Sequence, residues 1–337
     1  MIRPILHVAA PRPHIQGADA MWQEAEHLAA TFQSDLTSVF PGSHPSRLIP
    51  RPLYGWSNLA HLRSLEQPGR VHHVLYAVPY GFPYLRRLRL PIVYSVMAGA
   101  HLARVPDWLN RRTVWVVSHE RERARIVRAG AHRVEVIRPG LNLQRLSSTP
   151  PPPPGPWTLL CASAPWTRGQ FSTKGFDLLL SWTRRHPDCR LILLWRGLHL
   201  EALQARVQRL GIADQVAIIN ERADIQTLLA RSHAVVLLAH SAKLVKTWPH
   251  SLLEGLAAGR PVVVSEAIAM ADYVEANKLG TVVRGWNDTA VDQALDAVPR
   301  LEVPGVADLR MQRIARDFSP EAMCAGYQAA YEAALAL

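Results

Sequence analysis

The sequence predicts an α/β protein of two domains, each built on a parallel β-sheet with helices on both faces. Three observations support this prediction: the length of the chain, a proline-rich segment at its middle, and a repeated alternation of short apolar runs with amphipathic stretches. The chain has 337 residues, which is more than one hydrophobic core normally holds. Hydrophobic residues make up 48% of it, enough to form two cores.

The proline-rich segment predicts where the two domains meet. The sequence SSTPPPPPGPW occupies residues 147–157, and neither a helix nor a central strand continues through such a run. We therefore predict an N-terminal domain over residues 1–149, a linker over 150–156 and a C-terminal domain over 157–312. Residues 313–337 have a helical pattern with no strand after it. This helical tail either stays with the second domain or returns to the first.

The apolar runs have the composition of strands that are buried on both faces, because they are nearly continuous and rich in Val, Ile and Leu. In the first domain they are ILHVAA (5–10), VHHVLYA (71–77), PIVYSV (91–96), TVWVVS (113–118) and VEVIRPG (134–140). In the second domain they are TLLCAS (158–163), RLILLW (190–195), QVAIIN (215–220), AVVLLA (234–239) and PVVVS (261–265). Amphipathic stretches such as 17–32, 120–130 and 200–211 lie between them. Two sets of βαβ units predict two Rossmann-like domains that face a cleft.

The positive charge is concentrated in the first domain. Residues 1–149 hold 19 Arg, no Lys and 9 acidic residues, a net charge of +10 against +11 for the whole chain. Such a field attracts anionic lipid, a phosphorylated acceptor or nucleic acid. Compositional drift explains the excess of Arg over Lys, 34 to 4, but it does not explain the asymmetry between the halves.

The sequence favours a cytoplasmic protein. No apolar run approaches the roughly 20 residues that span a bilayer, and prolines interrupt the short apolar stretch of the N-terminus, MIRPILHVAAPRP. Cys161, Cys189 and Cys324 lack metal-ligand spacing, so we expect buried free thiols. We expect no metal and no other cofactor. Peripheral attachment of the basic half to the inner face of the membrane is an open alternative.

The segment KTWPHSLLEGLAAGRPVVVSEA, residues 246–267, is the most informative about function. Pro249 and Gly259 predict the start and end of a short helix, and a buried strand follows. The amide groups of its first turn form an anion site, and Glu254 can accept hydrogen bonds from a diol on the same ligand. Phosphate on the amides and ribose on the carboxylate describe a nucleotide. The alternative from spacing alone is a solvent-exposed Glu.

This segment and the strand before it resemble the nucleotide-sugar segment of retaining glycosyltransferases of the GT-B fold, family 4 type. That family carries two glutamates eight positions apart, then Gly, Pro and a Val-rich strand. Glu254, Gly259, Pro261 and PVVVS match this pattern. The similarity continues in VVSHERERARIVRAGAHRVEVIRPGLN (116–142), STKGFDLLLSW (172–182) and RADIQTLLARSHAVVLLAHS (222–241). It covers roughly residues 71–285 and implies a GT-B hexosyltransferase with a nucleotide-sugar donor.

The resemblance also implies roles for single residues. Lys174, followed by Gly, is expected to bind the donor diphosphate and to stabilise the charge of the leaving group. Arg168 is the candidate for the arginine that the family places near the preceding strand. Glu254 corresponds to the glutamate that binds ribose. The start of the same helix adds further donor-binding residues: His250, Ser251 and Leu252.

Three positions depart from the family pattern. Lys246 stands where the family has its first glutamate, which contacts the donor sugar, so the donor and the activity itself are left open. Gly17 is the only glycine where the family has a glycine pair, and we still expect it to contact the donor. His101 is a catalytic candidate near the reacting sugar, although Met97 occupies the aligned position. His72 and His73 lie within a predicted strand, where at least one should face the core.

The leading hypothesis is a retaining glycosyltransferase that moves a sugar from a nucleotide diphosphate to an acceptor, such as a lipid-linked or anionic glycan, held by the basic domain. Segments 79–91 and 106–115 mix aromatic residues with Arg, as segments at a membrane surface do. The alternatives are a catalytically inactive GT-B binding protein, a nucleotide-sugar 2-epimerase and a basic nucleic-acid-binding protein. We expect no nucleic-acid partner because no motif for one is present.

Overall fold

The computed structural model of the chain describes residues 2–11, 20–40, 50–97, 104–195, 198–221 and 223–337. The chain divides into two compact units. The first consists of Met1–Leu141 and Phe318–Leu337, and the second of Asn142–Asp317. Each unit contains a six-stranded sheet in which every neighbouring pair of strands is parallel. The predicted α/β class with two Rossmann-like domains is therefore confirmed.

The elements follow in chain order. The strands are β1 Ile5–Val8, β2 Asp35–Ser38, β3 His72–Tyr76, β4 Ile92–Val96, β5 Thr113–Val117, β6 Val134–Val136, β7 Trp157–Cys161, β8 Cys189–Leu194, β9 Val216–Ile219, β10 Ala234–Leu237, β11 Val262–Ser265 and β12 Gly280–Val283. The helices are α1 Ala20–Phe32, α2 Leu59–Ser64, α3 Asp107–Asn110, α4 Glu120–Arg128, α5 Gln170–Thr173, α6 Phe176–Arg185, α7 Leu200–Leu210, α8 Ile225–Leu229, α9 His250–Ala257, α10 Met270–Ala276, α11 Asp288–Asp296, α12 Val306–Asp317 and α13 Pro320–Leu335. Short 3-10 helices cover Arg51–Leu53, Pro83–Arg87, Gln144–Ser148, Ala242–Leu244 and Val298–Leu301.

The first unit has the strand order β2-β1-β3-β4-β5-β6. Successive residues of its strands point to opposite faces, and both faces are buried. One face packs a cluster that includes Ile5, Val74 and Tyr94. The other packs a cluster that includes Leu6, Leu75 and Val93, together with residues of α1 and α13. This burial on both sides is why the strands are apolar almost without alternation.

His72 and His73 are neighbours in β3, and both are fully buried. The ring of His72 lies 3.0 Å from that of His7, measured between Nδ1 and Nε2. The ring of His73 lies 2.9 Å from the hydroxyl of Tyr331, which belongs to α13. The prediction that at least one of the two histidines faces the core holds for both.

The C-terminal helix α13 belongs to the first unit, where it packs against β4 and β5. The chain enters it next to residues 140 and 141: the Leu141 amide donates to the Phe318 carbonyl oxygen at 3.0 Å. A Cβ on Gly140 would lie 2.6 Å from the Pro320 Cα, so this crossing needs glycine. The helical tail was expected to begin at residue 313. In the structure the chain leaves the second unit at 317, because α12 runs unbroken to Asp317.

The boundary at the proline-rich segment also differs from the expected one. Residues 142–149, assigned to the first domain from the sequence, lie in the second unit. The Gln226 side chain donates to the Arg145 carbonyl oxygen at 2.9 Å, and the Arg260 guanidinium donates to the carbonyl oxygen of Pro150. The prolines end the regular structure, but the residues around them pack against helices of the second unit and do not form a separate spacer.

The second unit has the strand order β12-β11-β10-β7-β8-β9. From β7 the chain builds outward through β8 and β9, and it then returns to the other side of β7 with β10. The order therefore reverses between β7 and β10, and in open parallel sheets ligands bind beyond the carboxyl ends of the strands at such a point.

Among the described residues, no helix has both the length and the apolar character to cross a membrane. All three cysteines are free, but only Cys161 is buried, whereas Cys189 and Cys324 are half-buried.

Candidate functional site

The candidate site lies in the second unit, beyond the carboxyl ends of β7 and β10. Two loops leave the sheet there, residues 162–169 between β7 and α5 and residues 238–249 between β10 and α9. A main-chain hydrogen bond of 2.8 Å from the His240 amide to the Thr173 carbonyl oxygen joins the two segments. The residue after Thr173 is Lys174, so this bond holds Lys174 beside the loop that leads into α9.

Lys174 is a buried cation, with 6% of its surface exposed. Its Nζ donates to the Ala164 carbonyl oxygen at 2.8 Å and lies 3.5 Å from the Ser163 Oγ. Burial lowers the pKa of Lys174, because desolvation disfavours the charged form, and nearby Cys161 partly offsets this effect. An ammonium has three donors, and one remains without a partner within the described part of the chain. An anion at this place would bond the third donor and oppose the loss of charge.

Gly175 is needed for this arrangement. It adopts φ +70°, in the left-handed region, at the turn between α5 and α6. A Cβ there would lie 2.6 Å from the Cβ of Leu238, at the end of β10. The Lys-Gly pair thus lets the turn approach β10 closely and leaves the lysine at the carboxyl edge of the sheet.

Helix α9 starts at His250, with Pro249 in extended conformation before it. It packs closely on the sheet, because a Cβ on Gly255 would lie 2.5 Å from a methyl group of Val235 in β10. Leu252, Leu253 and Leu256 are fully buried on that side. Glu254 is half-buried and is offset from this apolar stripe.

The three residues expected to bind the donor at the start of α9 are in different environments. Leu252 has a fully buried side chain, and its amide already donates to the Pro249 carbonyl oxygen at 3.1 Å. Neither the side chain nor the amide of Leu252 is therefore available for the expected contact with a ligand. Ser251 is buried and His250 is half-buried, and both precede the first main-chain bond of the helix.

Lys246 is half-buried in the loop before α9. The residues after it are anchored: Thr247 and Trp248 are buried, and the Trp248 ring packs edge-on against Tyr273 at 5.5 Å between centroids. Lys246, eight residues before Glu254, therefore lies in a loop segment that is anchored to the second unit.

Several residues of this edge were not predicted from the sequence. The Ser265 Oγ accepts from the Ala239 amide at 2.7 Å and ties the ends of β10 and β11 together. The exposed ring of His240 packs edge-on against Trp286 at 5.4 Å. Glu266, which follows β11, accepts from the Gly285 amide at 3.0 Å. Their shared signal is position: Ser265 ends β11, Glu266 follows it, and the other residues lie within three positions after the end of β10 or β12.

Arg168 is exposed in the loop between β7 and α5. It lines a pocket of about 690 Å³ together with residues of α7, and no hydrogen bond or ion pair joins it to Lys174 among the described residues. Gly17 and His101 lie outside the described residues. Within the described ranges, no group of three or more His, Cys, Asp or Glu side chains could hold a metal ion.

The second unit matches a known family model, and the whole chain has the fold of solved structures. Residues 169–314 match the family model described as glycosyl transferases group 1. No curated protein matches the chain. A glycosyltransferase from Rickettsia africae has a similar structure, with a TM-score of 0.73 at 12% identity over 99% of both chains. Anabaena Alr3699/HepE, in complex with UDP and glucose, gives 0.71 at 13% identity over 98% of this chain and 100% of that one.

A third similar structure is the apo form of the lipopolysaccharide outer core galactosyltransferase WaaB. Its TM-score is 0.72 at 13% identity, over 98% of this chain and 99% of that one. At these identities the structural likeness establishes the fold. The resemblance to GT-B glycosyltransferases, inferred above from motifs, is confirmed by the shared fold and by the family model, which includes Lys174, Lys246 and Glu254.

Proposed function

We propose that the chain is a retaining glycosyltransferase that moves a hexose from a nucleotide diphosphate to an acceptor hydroxyl. The observation that carries the proposal is the position of Lys174. Its buried ammonium lies at the reversal point of the sheet, beside the loop of α9, and within the segment that matches the glycosyl transferases group 1 model.

The proposed donor is bound through two groups at this edge. Lys174 contacts the diphosphate with a charge-assisted hydrogen bond, and the Glu254 carboxylate accepts hydrogen bonds from the ribose hydroxyls. Anabaena HepE, whose fold is similar, forms a complex with UDP and glucose, and this supports a nucleotide-sugar donor here. Lys246 faces either the donor sugar or the phosphates.

In the proposed reaction, the bond between the anomeric carbon and the diphosphate oxygen breaks, and the acceptor oxygen forms the new glycosidic bond on the same face of the sugar. The acceptor proton leaves with the diphosphate. Lys174 stabilises the negative charge that develops on the leaving group, in a site from which water is largely excluded by burial. No metal is required by this proposal, because an ammonium supplies the positive charge.

The acceptor is proposed to be a lipid-linked or anionic glycan that is attracted by the basic first unit at the cytoplasmic face of the membrane. Arg86, Arg87 and Arg89 are exposed there, whereas Phe82 and Tyr84 of the same segment are fully buried. Attraction to a membrane would therefore depend on arginine charge and not on these aromatic rings.

The experiment is a thermal-shift panel of UDP-, GDP-, ADP- and TDP-sugars on the wild type and on Lys174→Met. A ligand at 100 times its dissociation constant stabilises the fold by about 2.7 kcal/mol. We expect one nucleotide to raise the melting temperature of the wild type and to have a much smaller effect on the variant. The anomeric configuration of the product, read by NMR, tests retention. A chain that responds to none of the nucleotide sugars would contradict the proposal.

A further inference from the structure

We infer that the pocket lined by Arg168, Arg206 and Arg209 binds an anionic sugar, one that bears a phosphate or a carboxylate group. The pocket measures about 690 Å³, within the range of small-molecule sites and large enough for a sugar ring. Three guanidinium groups line it against one carboxylate, that of Glu201. Its charge therefore selects a negatively charged ligand. The residues are hereafter called the arginine pocket.

Arg206 is held in a fixed orientation at this pocket. Its guanidinium lies over the ring of Phe171, 4.0 Å from the centroid. Its Nε donates to the Asp177 carboxylate at 3.2 Å, and its Nη1 donates to the Ala202 carbonyl oxygen at 3.2 Å. A guanidinium has five N–H donors, so three remain in the part of the chain that the structure describes. A planar, stacked guanidinium of this kind is preorganised for an oxyanion.

The shape of the arginine pocket follows from the helix. One face of α7 carries positions i, i+3, i+4 and i+7 of the helix, which here are Ala202, Ala205, Arg206 and Arg209. The two alanines leave the space, and the two arginines border it. Arg168 comes from the loop after β7. The guanidiniums thus come from two separate segments around one pocket, an arrangement that a solvated helix face alone does not produce.

Two large apolar side chains stand next to this lining in the chain. The Trp166 residue is 73% exposed. Its main chain is held in place, because its amide donates to the Gln170 Oε1 at 2.7 Å. Leu198, which precedes His199 of the pocket, is 56% exposed. Trp166 stands two residues before Arg168 in the chain, and an exposed indole there would provide a flat apolar surface for the C–H face of a sugar bound at that arginine.

The arginine pocket is separate from the proposed donor site. Lys174 and α9 lie at the reversal point between β7 and β10. Six of the eight residues that line the arginine pocket belong to α7, the helix between β8 and β9, on the other side of β7. The binding of an anionic sugar at this pocket therefore does not rest on the proposed function.

The test measures the binding of glucose 6-phosphate, glucuronic acid, glucose and inorganic phosphate by calorimetry. The wild type, Arg209→Gln and Trp166→Ala are compared with Arg313→Gln, which removes an exposed arginine elsewhere in the second unit. We expect one of the two anionic sugars to bind more tightly than glucose and than phosphate. Its affinity should fall about 10-fold in Arg209→Gln and fall in Trp166→Ala, but stay unchanged in Arg313→Gln.

The outcomes separate this inference from the proposed function. Nucleotide-sugar binding and the melting temperature should be unchanged in Arg209→Gln. The inference is overturned if neither anionic sugar binds, if Arg209→Gln binds it as the wild type does, or if inorganic phosphate binds equally well. A chain that binds the anionic sugar but no nucleotide sugar would keep the pocket and reject the donor site. The reverse result would keep the donor site and reject the pocket.

Discussion

The Nζ of Lys174 and the main-chain oxygen of Ala164 are 2.8 Å apart. This hydrogen bond joins the residue that follows α5 to the start of the loop after β7, next to the carboxyl end of that strand. The ammonium is therefore oriented before any ligand arrives. Burial lowers the pKa of this ammonium. An anion bound to it would favour the charged form and raise the pKa again.

The first prediction concerns this ammonium. Lys174→Met keeps the aliphatic part of the side chain but removes a charge-assisted contact worth roughly 1.5–3 kcal/mol, or about 10- to 150-fold in equilibrium terms. We expect a loss of that size in nucleotide-sugar affinity or in kcat/KM, with little change in melting temperature. Lys278→Met, at an exposed lysine of the same unit, is the matched control. Unchanged donor kinetics in Lys174→Met would remove Lys174 from the site.

The second prediction concerns the turn after Lys174. Gly175→Ala places a Cβ at φ +70° and within 2.6 Å of Leu238. Gly211→Ala imposes nearly the same φ, +69°, but has nothing within 4 Å of the new Cβ. Both should lose about 1–2 kcal/mol of unfolding free energy from the left-handed conformation, and Gly175→Ala should lose about 1–3 kcal/mol more from overpacking. Chemical denaturation of the two variants measures the difference.

Donor binding separates these two glycine variants further. The turn that carries Gly175 also positions Lys174, so only Gly175→Ala should weaken nucleotide-sugar affinity. If the two variants are equally stable and both bind donor normally, the close approach of this turn to β10 has no energetic or functional consequence.

Much of this arrangement could be predicted from the sequence, because strands buried on both faces are recognisable as continuous Val, Ile and Leu runs. The motifs around Lys174 and Glu254 make these two residues candidates for donor binding, which stays a prediction. The residues brought in from other strands could not be identified in the same way. Ser265, for example, acts through the Ala239 amide, and only the pairing of β10 with β11 brings the two together.

Proline content was a poor guide to the domain boundary for a related reason. Prolines show where regular structure ends, but the unit that a segment packs against is decided by distant partners. Arg260 bonds to Pro150 across the sequence, and Gln226 bonds to Arg145. Arg168 likewise lines a pocket with residues of α7, a helix that follows a different strand.

The third prediction concerns the buried histidines of the first unit. Burial lowers the pKa of His72 and of His73 to about 3, and it also lowers the pKa of His7 well below its ordinary value. The positive charges of Arg112 and Arg70 lower the pKa of His72 further. In the unfolded chain these rings take up protons below about pH 6.5. The unfolded state therefore binds more protons than the folded state between about pH 6.5 and pH 3.

Stability should consequently fall as the pH decreases through that window. With three such histidines, the slope of the unfolding free energy against pH approaches about 4 kcal/mol per pH unit. Urea denaturation of the first unit between pH 7.5 and pH 4 measures it. His73→Gln should reduce the slope by about one proton, whereas His61→Gln, at an exposed site of α2, should leave it unchanged. An unfolding free energy that is constant down to pH 4 would show that these rings protonate without opening the core.

The fourth prediction concerns the exposed arginines of the first unit. If Arg86, Arg87 and Arg89 attract an anionic membrane, binding to vesicles should require acidic lipid. It should also weaken steeply between low and physiological salt, because exposed charges are screened. Changing all three to Gln should reduce binding at low salt. Equal binding to neutral and acidic vesicles, or none to either, would contradict the attraction of the first unit to an anionic membrane.

The last prediction concerns Lys246, which stands where the resemblance to family 4 GT-B glycosyltransferases implies a glutamate that contacts the donor sugar. A carboxylate accepts hydrogen bonds from sugar hydroxyls, whereas an ammonium only donates them. A Lys246 that contacts the donor would bind either the carboxylate of an acidic donor sugar or, with Lys174, the phosphates of a neutral one, whereas a loop lysine with no ligand would bind neither. Lys246→Glu distinguishes these roles when the affinities for the full donor and for the free nucleotide diphosphate are both measured.

If the sugar is acidic, Lys246→Glu should reject the native donor, because two carboxylates would face each other, and it should bind the free diphosphate normally. If Lys246 contacts the phosphates, the variant should bind both ligands more weakly, by about 10-fold or more for a lost charge-assisted contact. Lys243→Glu makes the same charge change at an exposed position of the same loop, and it should leave both affinities near those of the wild type. Wild-type affinity for both ligands in Lys246→Glu would exclude both roles.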